Sequence, residues 1–584
     1  MNTLSKVFAL LNAKLKKQAF FILLLTILSM LFETIGIGLF IPAIVLLTEP
    51  NIAAKYPQVA PFIKFLGNPD QKELAKIGMA VLVGVYFLKN AFIAYFSYAQ
   101  TRFANEIQVQ LSQRLFSTYL RQPYAFHLQR NSAHLIRNVT TEINQVQVYI
   151  TQVLLLCTEF SAVFGIGILL VFSEPLGIVI VGVVLGGMSW IFNYFTKKPI
   201  LRWAELRLYH AGQAIQHIMQ GLGGAKDVKL LGRESDFLTQ YKKHNIANAR
   251  INRMNNTLLA LPRLWLELLM VIGLAILVLT MIAQNRQLST IVPTLGLFAI
   301  AAFRLLPSVN RILNTYQNMR FGTPSILLIF DELKLNNTEP ETSLDTSSKT
   351  AFTYLNLEHV TFSYAAASVP AVRDISLSIK IGEKVGFVGT SGSGKSTIID
   401  IILGLLVPDH GVVKVDGSDI NASPVAIRGW QNQIGYVSQN IYLTDDTLLR
   451  NIAFGLANDE IDETAVRKAI KAAQLDEFVN SLPEGINTIV GERGVRLSGG
   501  QRQRIGIARS LYHDPQVLVL DEATSSLDND TEQGVMEAIK LLKDKTVLIV
   551  AHRLSTVAHC DRIFRIEQGK LARAGTPEEV LSTK

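Results

Sequence analysis

The stretch Gly389-Thr390-Ser391-Gly392-Ser393-Gly394-Lys395-Ser396 follows the spacing G-x-x-x-x-G-K-S. Ahead of it, Lys384 to Val388 reads as a buried strand; behind it, Thr397 to Gly404 reads as a helix, the context in which such a loop grips phosphate. The glycines let the backbone wrap a polyanion, and the amides at the helix start face it from the positive end of the dipole. Gly389, Gly392, Gly394 and Thr397 complete this cradle, while Lys395 reaches the β and γ phosphates and Ser396 holds Mg²⁺. The stretch predicts a nucleoside triphosphate site on an α/β domain.

The 584 residues are too many for one core, so at least two domains are expected. Hydrophobic residues make up 49% of the chain. Mean hydropathy is +0.28, which puts part of it in lipid. The net charge of +9 is assigned to basic cytoplasmic loops beside anionic lipid and not to nucleic acid, which is not expected as a partner. Two cysteines, Cys157 and Cys560, exclude a disulfide framework or thiolate metal site.

Six segments are long and apolar enough to cross about 30 Å of hydrocarbon, near residues 19–47, 77–99, 149–172, 176–195, 257–283 and 291–311. Ser173-Glu174-Pro175 joins the third to the fourth as a hairpin. Arginines and lysines crowd the connections between spans two and three and between spans four and five, so those loops and both termini are expected in the cytoplasm. The helical rhythm of Ile107, Leu111, Leu115 and Tyr119 carries the second span onward into the cytoplasm, and breaks at Pro123 to Phe126 and Gly221 to Gly232 predict a short transverse helix in each connection. Pro57 to Leu66 reads as a short amphipathic helix, placed either in the outer headgroup layer or against neighbouring loops. Pro262, Pro293 and Pro307 are expected to kink their spans.

Charges within the spans are costly unless they meet a partner or a wet cavity. Lys89, Arg263, Arg304 and Arg311 read as the lining of a cavity for an anion; the alternative is internal ion pairing, such as Arg263 with Glu267, or snorkelling near the membrane surface. The expected organisation is a polytopic α-helical membrane domain at 1–330, a Ser/Thr-rich linker at 331–350 and an α/β cassette at 351–584.

Past the phosphate loop, the stretch from Gln516 reads as a buried strand ending in Asp521 and Glu522, an arrangement in which the first acid holds Mg²⁺ and the second polarises a water. Between the two lies Leu497-Ser498-Gly499-Gly500-Gln501, a second anion-binding helix start. These motifs, in this order after six spans, resemble the ATP-binding cassette half-transporters of the exporter type, and the resemblance covers the whole chain. It implies a homodimer in which Ser498, Gly500 and Gln501 of one subunit close over ATP and Mg²⁺ held by the other. It further implies that Tyr364 stacks on adenine and that Gln439 couples to Mg²⁺. Asp528 would then line the cross-dimer loop, His552 would sense the γ-phosphate, and Gly491 to Gly494 would contact the transverse helices. Glu522, His552, Gln439 and Lys395 are the implied catalytic set.

The segments at 32–38, 226–234 and 302–312 are similar to the PglK-type lipid-linked oligosaccharide flippases of bacteria. That similarity implies a polyprenyl-pyrophosphate glycan turned from the cytoplasmic to the outer leaflet of the inner membrane, with arginines meeting the pyrophosphate. Export of a drug, an amphipathic peptide or another lipid is the alternative, and an ATP-gated anion channel the remote one.

Overall fold

Helices far longer than a bilayer dominate the first half. The computed structural model describes residues 3–39, 69–173, 175–283, 288–335, 352–365, 367–523, 532, 545–551 and 554–581. The helices are α1 (Thr3–Leu10), α2 (Ala13–Gly38), α3 (Gln71–Leu120), α4 (Tyr124–Gln129), α5 (Ser132–Arg137), α6 (Ile143–Ser173), α7 (Pro175–Gly223), α8 (Ala225–Leu231), α9 (Glu234–Ala283) and α10 (Leu288–Glu332). At 50 residues α3 reaches about 75 Å, more than twice the hydrocarbon thickness. Its start is fixed by Asp70, whose side chain accepts from the Glu73 amide at 2.7 Å.

Along α3 the apolar residues change solvent. Val81, Val83, Phe87 and Leu88 are exposed, as side chains facing lipid are, whereas Phe103, Ile107, Leu111 and Leu115 are buried four residues apart against protein. Among the described residues, four helical stretches satisfy the length and composition of a span: Ala13–Gly36, Gln71–Leu120, Ser132–Ile168 and Glu234–Gly273. The other two expected spans fall in α7 and α10. α6 packs along α10, and α7 along α9; α2 lies against α3 and α6. Both breaks in the long connections hold a short helix, α4 and α8, the latter ended by Gly232 in the left-handed conformation at φ 62°. α9 continues through Pro262. The segment at 57–66 and the linker at 336–351 lie outside the described residues.

The chain divides into two compact units, one made of 1–121 and 130–336, the other of 122–129 and 337–584. The second unit is an α/β cassette. Its six-stranded sheet runs β10-β9-β3-β8-β7-β6, with β3 (Lys384–Val388) parallel to both β8 (Thr546–Val550) and β9 (Arg562–Glu567). β7 (Val517–Asp521) lies parallel between β8 and β6 (Ile434–Val437); β10 (Lys570–Gly575) closes one edge antiparallel. A second, antiparallel sheet runs β2-β1-β4-β5, from β1 (Tyr354–Phe362), β2 (Val372–Lys380), β4 (His410–Val415) and β5 (Ser418–Asp419). Every residue of β7 and β8 is buried, which is why these strands read as unbroken apolar runs. Helix α11 (Lys395–Ile402) packs Ile398, Ile399, Ile401 and Ile402 into the core shared by the two sheets, and Ala125 of α4 packs against the same cluster.

Candidate functional site

The phosphate loop leaves the carboxyl end of central strand β3 and enters α11, so the sheet aims its backbone at one point. Gly389 and Gly394 have φ of 155° and 102°. A Cβ on Gly389 would collide with the Ile566 carbonyl, and one on Gly394 would meet the Ala371 carbonyl at 2.5 Å. Only glycine fits either position. Lys395 is buried, and its Nζ donates to the carbonyls of Gly389 and Thr390 at 2.9 and 3.0 Å. Burial lowers its pKa while Glu522 and Asp521 oppose that shift. Ser396 is exposed at the helix start. The Ser393 hydroxyl is buried in the loop without a hydrogen-bond partner, an orphan that a bound phosphate oxygen would satisfy. The spacing of the motif gave no signal for that residue.

Asp521 ends β7, buried, with the Tyr436 hydroxyl at 3.5 Å from its Oδ2. Glu522 follows at φ 51°, a strained backbone for a non-glycine residue, and accepts from Gln439 Nε2 at 2.6 Å. Asp400, one turn along α11, has its carboxyl pushed up to about 6 by burial and then by Asp521. Tyr364 stands edge-on to Phe362 with ring centroids 5.1 Å apart, and its hydroxyl lies 3.1 Å from Thr397 Oγ1. One surface of the cassette thus joins an aromatic, a cationic loop, a hydroxyl, an amide and two carboxylates. The hydroxyl, amide and carboxylate oxygens are the hard donor set that suits Mg²⁺.

Ser498 caps the helix Gly499–Leu511, accepting from the Gln501 amide at 3.2 Å while Gln501 Oε1 accepts from the Ser498 amide at 2.8 Å. The Gln501 side chain is therefore held in the cap, and the Ser498 hydroxyl is oriented by it. Gly491 and Gly494 have positive φ, as does Arg493 between them. Arg509 is anchored under this region by the Asn451 and Tyr442 carbonyls at 2.8 and 2.9 Å. Asp528 and His552 lie outside the described residues.

In the membrane half the structure gives the cavity cations partners. Lys89 meets Glu33 at 3.3 Å with both side chains nearly buried; Arg311 binds Glu159 with both nitrogens, the longer contact being 3.1 Å; Arg263 pairs with Glu267 one turn away at 2.9 Å. Each of these three therefore has an acidic partner, as expected where an unpaired charge in a span costs more than a neutral pair. The Arg304 side chain lies outside the described set.

Sequence reasoning missed two clusters on the parts of the long helices that extend beyond the expected spans. Glu142, fully buried in a π-turn at Asn138–Glu142, accepts from Arg207 at 3.0 Å and from Ser325 at 2.6 Å, with Arg137 at 3.9 Å. His210 and His244 face each other at 2.9 Å between their Nδ1 atoms, and the His217 ring lies tilted 5.4 Å from that of His244. Arg137 and Arg207 had signalled only a cytoplasmic loop, and the histidines are isolated in sequence. No group of three metal-ligating side chains occurs among the described residues.

Comparison with known proteins bears on the whole chain. Residues 372–525 match the family model for the ABC transporter, and residues 19–305 that for the ABC transporter transmembrane region. The chain is 32% identical over 511 residues to an ATP-dependent lipid A-core flippase of Cupriavidus pinatubonensis, covering 86% of this chain and 85% of that one. It is 31% identical over 528 residues to the protein of that name in Pseudoalteromonas translucida, covering 88% of each. Among solved structures, a bacterial Atm1-family ABC exporter with ATP bound superposes with a TM-score of 0.77 at 24% identity, over 98% of this chain and 97% of that chain.

Proposed function

From the premise that this chain belongs to the ATP-binding cassette transporters, as a membrane-spanning exporter half-transporter that couples ATP hydrolysis to translocation, we propose that it flips a lipid with a phosphorylated sugar headgroup from the cytoplasmic to the outer leaflet. The observation that carries this reading is the match along 86% of the chain to relatives named for lipid A-core flipping. A polyprenyl-pyrophosphate oligosaccharide is the finer reading that the segments at 32–38, 226–234 and 302–312 support. Both cargoes join an anionic sugar phosphate to long acyl or prenyl tails. Because Lys89, Arg263 and Arg311 are paired, recognition of the phosphate by these residues requires their glutamates to exchange partners, which favours a cavity that opens during the cycle over a static basic pocket.

In the proposed mechanism two copies pair, each in the inner membrane with both termini cytoplasmic. Tyr364 stacks on the base, and the loop amides with Lys395 hold the phosphates. Ser396, Gln439 and Asp521 would hold Mg²⁺, which screens phosphate charge when bound. Ser498 and Gly500 of the second copy close the site. Glu522 orients the attacking water and accepts its proton, and the water oxygen bonds the γ-phosphorus as the bond to ADP breaks. Gln439, 2.6 Å from Glu522, would link that carboxylate to the state of the site. Asp528 and His552 are assigned to the cross-dimer contact and to the γ-phosphate.

The test is movement of two fluorescent cargoes in proteoliposomes, a lipid A-core glycolipid and a polyprenyl-pyrophosphate oligosaccharide, scored by accessibility to an external glycan-modifying enzyme. ATP-dependent movement of the first alone supports the broader reading; movement of the second supports the finer one. An active ATPase that moves neither overturns both.

A further inference from the structure

Where α2 and α3 cross the cytoplasmic edge of the membrane, they enclose a groove lined by none of the residues assigned above to ATP or to cargo. Its position follows from chain direction: α2 climbs into the bilayer after Lys17, and α3 leaves it after Ala99. The cytoplasmic end is a cavity of about 610 Å³ whose rim carries Lys14, Arg102, Asn105 and Gln110. A narrower arm of about 250 Å³ continues toward the membrane between Phe21, Ile22, Tyr95 and Tyr98. Arg102 and Glu106 line both and so mark the junction. The rim adds Lys14 to the shared Arg102 and Glu106, and the arm adds the rings of Phe21, Tyr95 and Tyr98, side chains that suit a headgroup and an acyl chain respectively.

Its charge is also matched to one occupant. Glu106 is committed to Arg102 at 3.0 Å and to Gln18 Nε2 at 2.9 Å, so with exposed Lys14 the rim keeps one excess positive charge. Two acceptors at the groove, the side-chain oxygens of Gln18 and Gln110, are buried without hydrogen-bond partners. They would be satisfied by a headgroup that brings hydroxyl donors. Just ahead of the groove in the chain, α1 packs on α10, burying Val7 and Leu10 and exposing Leu4 and Phe8, the pattern of a helix lying in the interface.

We propose that this groove binds one anionic, hydroxyl-bearing phospholipid of the cytoplasmic leaflet, of the phosphatidylglycerol type. Its phosphate sits between Lys14 and Arg102, its headgroup hydroxyls face Gln110, and one acyl chain follows the arm past Ile22. The site shares no residue with those assigned to the cargo and holds its lipid whichever cargo is moved.

Native mass spectrometry of the full-length protein in detergent, titrated with phosphatidylglycerol, phosphatidylcholine or inorganic phosphate, tests this. The parent should retain phosphatidylglycerol at least about tenfold more tightly than phosphatidylcholine. Lys14→Glu with Arg102→Glu should weaken phosphatidylglycerol about thirtyfold and leave phosphatidylcholine unchanged. Ala99→Trp, which fills the arm, should weaken both lipids. If the double variant fails to fold, Lys14→Gln replaces it, with about fivefold weaker phosphatidylglycerol binding expected. Unchanged phosphatidylglycerol affinity in the charge variant overturns the proposal. So does displacement of the lipid by equimolar inorganic phosphate, or normal lipid binding by Ala99→Trp, since either would leave the site to a phosphate without its tail.

Discussion

The cassette and the membrane half use charged residues in opposite ways. In the cassette, Lys395, Asp521 and Glu522 converge on one surface and are held by backbone carbonyls, a tyrosine and an amide, so their charge stays directed at an incoming ligand. In the membrane half, Lys89, Arg311 and Arg263 each face a glutamate, and on the helix extensions beyond the spans Arg207 faces a fully buried Glu142. Around the cassette site water can still solvate an uncommitted charge, whereas a span gives it only hydrocarbon, so there the nearest carboxylate takes it. A directed charge marks chemistry, and a paired charge in a span marks architecture first.

The sharpest break between the regions is Glu522→Gln. It keeps the fold and should lower ATP turnover by a factor of about 10² to 10⁴, the range of a lost general base, measured as steady-state phosphate release. The corresponding change in the other region, Glu142→Ala, leaves Arg207 and Arg137 buried without their acid and should cost about 3–5 kcal/mol in stability, read as a lower midpoint in detergent melts. Replacing both Glu142 and Arg207 by apolar residues should recover much of that loss; a double variant as damaged as the sum of the singles would break the pairing account.

Two smaller effects sharpen the comparison within the cassette. Ser498→Ala removes the cap of the helix Gly499–Leu511 and should cost about 1 kcal/mol in cassette stability, with Ser498→Asp restoring the stability. For Asp400, the folded carboxyl titrates near 6 while its ordinary value is 3.8. The folded state therefore holds the proton more tightly, and the stability this contributes is full below 3.8 and lost as pH rises through 6. Asp400→Asn should then raise the melting midpoint at pH 7.5 more than at pH 5, by an amount worth no more than about 1 kcal/mol after solvent screening.

The same contrast explains what was legible in the sequence. The phosphate loop, the helix cap and the strand ending in Asp521 and Glu522 could be read because each is a contiguous string whose spacing dictates its own geometry. Arg263 with Glu267 was legible as a pairing alternative for that reason, one helical turn being local. Glu159 with Arg311, 152 residues away, and Glu142 with Arg207 and Ser325, 65 and 183 residues away, depend on which helices pack together. The composition of one helix does not carry that information, so the glutamate partners of Lys89, Arg311 and Arg207 came only with the packing. The transverse helices α4 and α8 fell between these cases: proline and glycine marked both interruptions locally, while only packing placed Ala125 on the cassette core.

The central claim is that hydrolysis at Glu522 drives lipid across the bilayer, and the direct measurement is the number of cargo molecules moved per ATP hydrolysed in sealed proteoliposomes, parent beside Glu522→Gln. The account predicts that both counts collapse together in the variant while ATP binding persists, and that the parent keeps a fixed ratio as ATP is varied. Cargo movement by Glu522→Gln at the parent rate would contradict it.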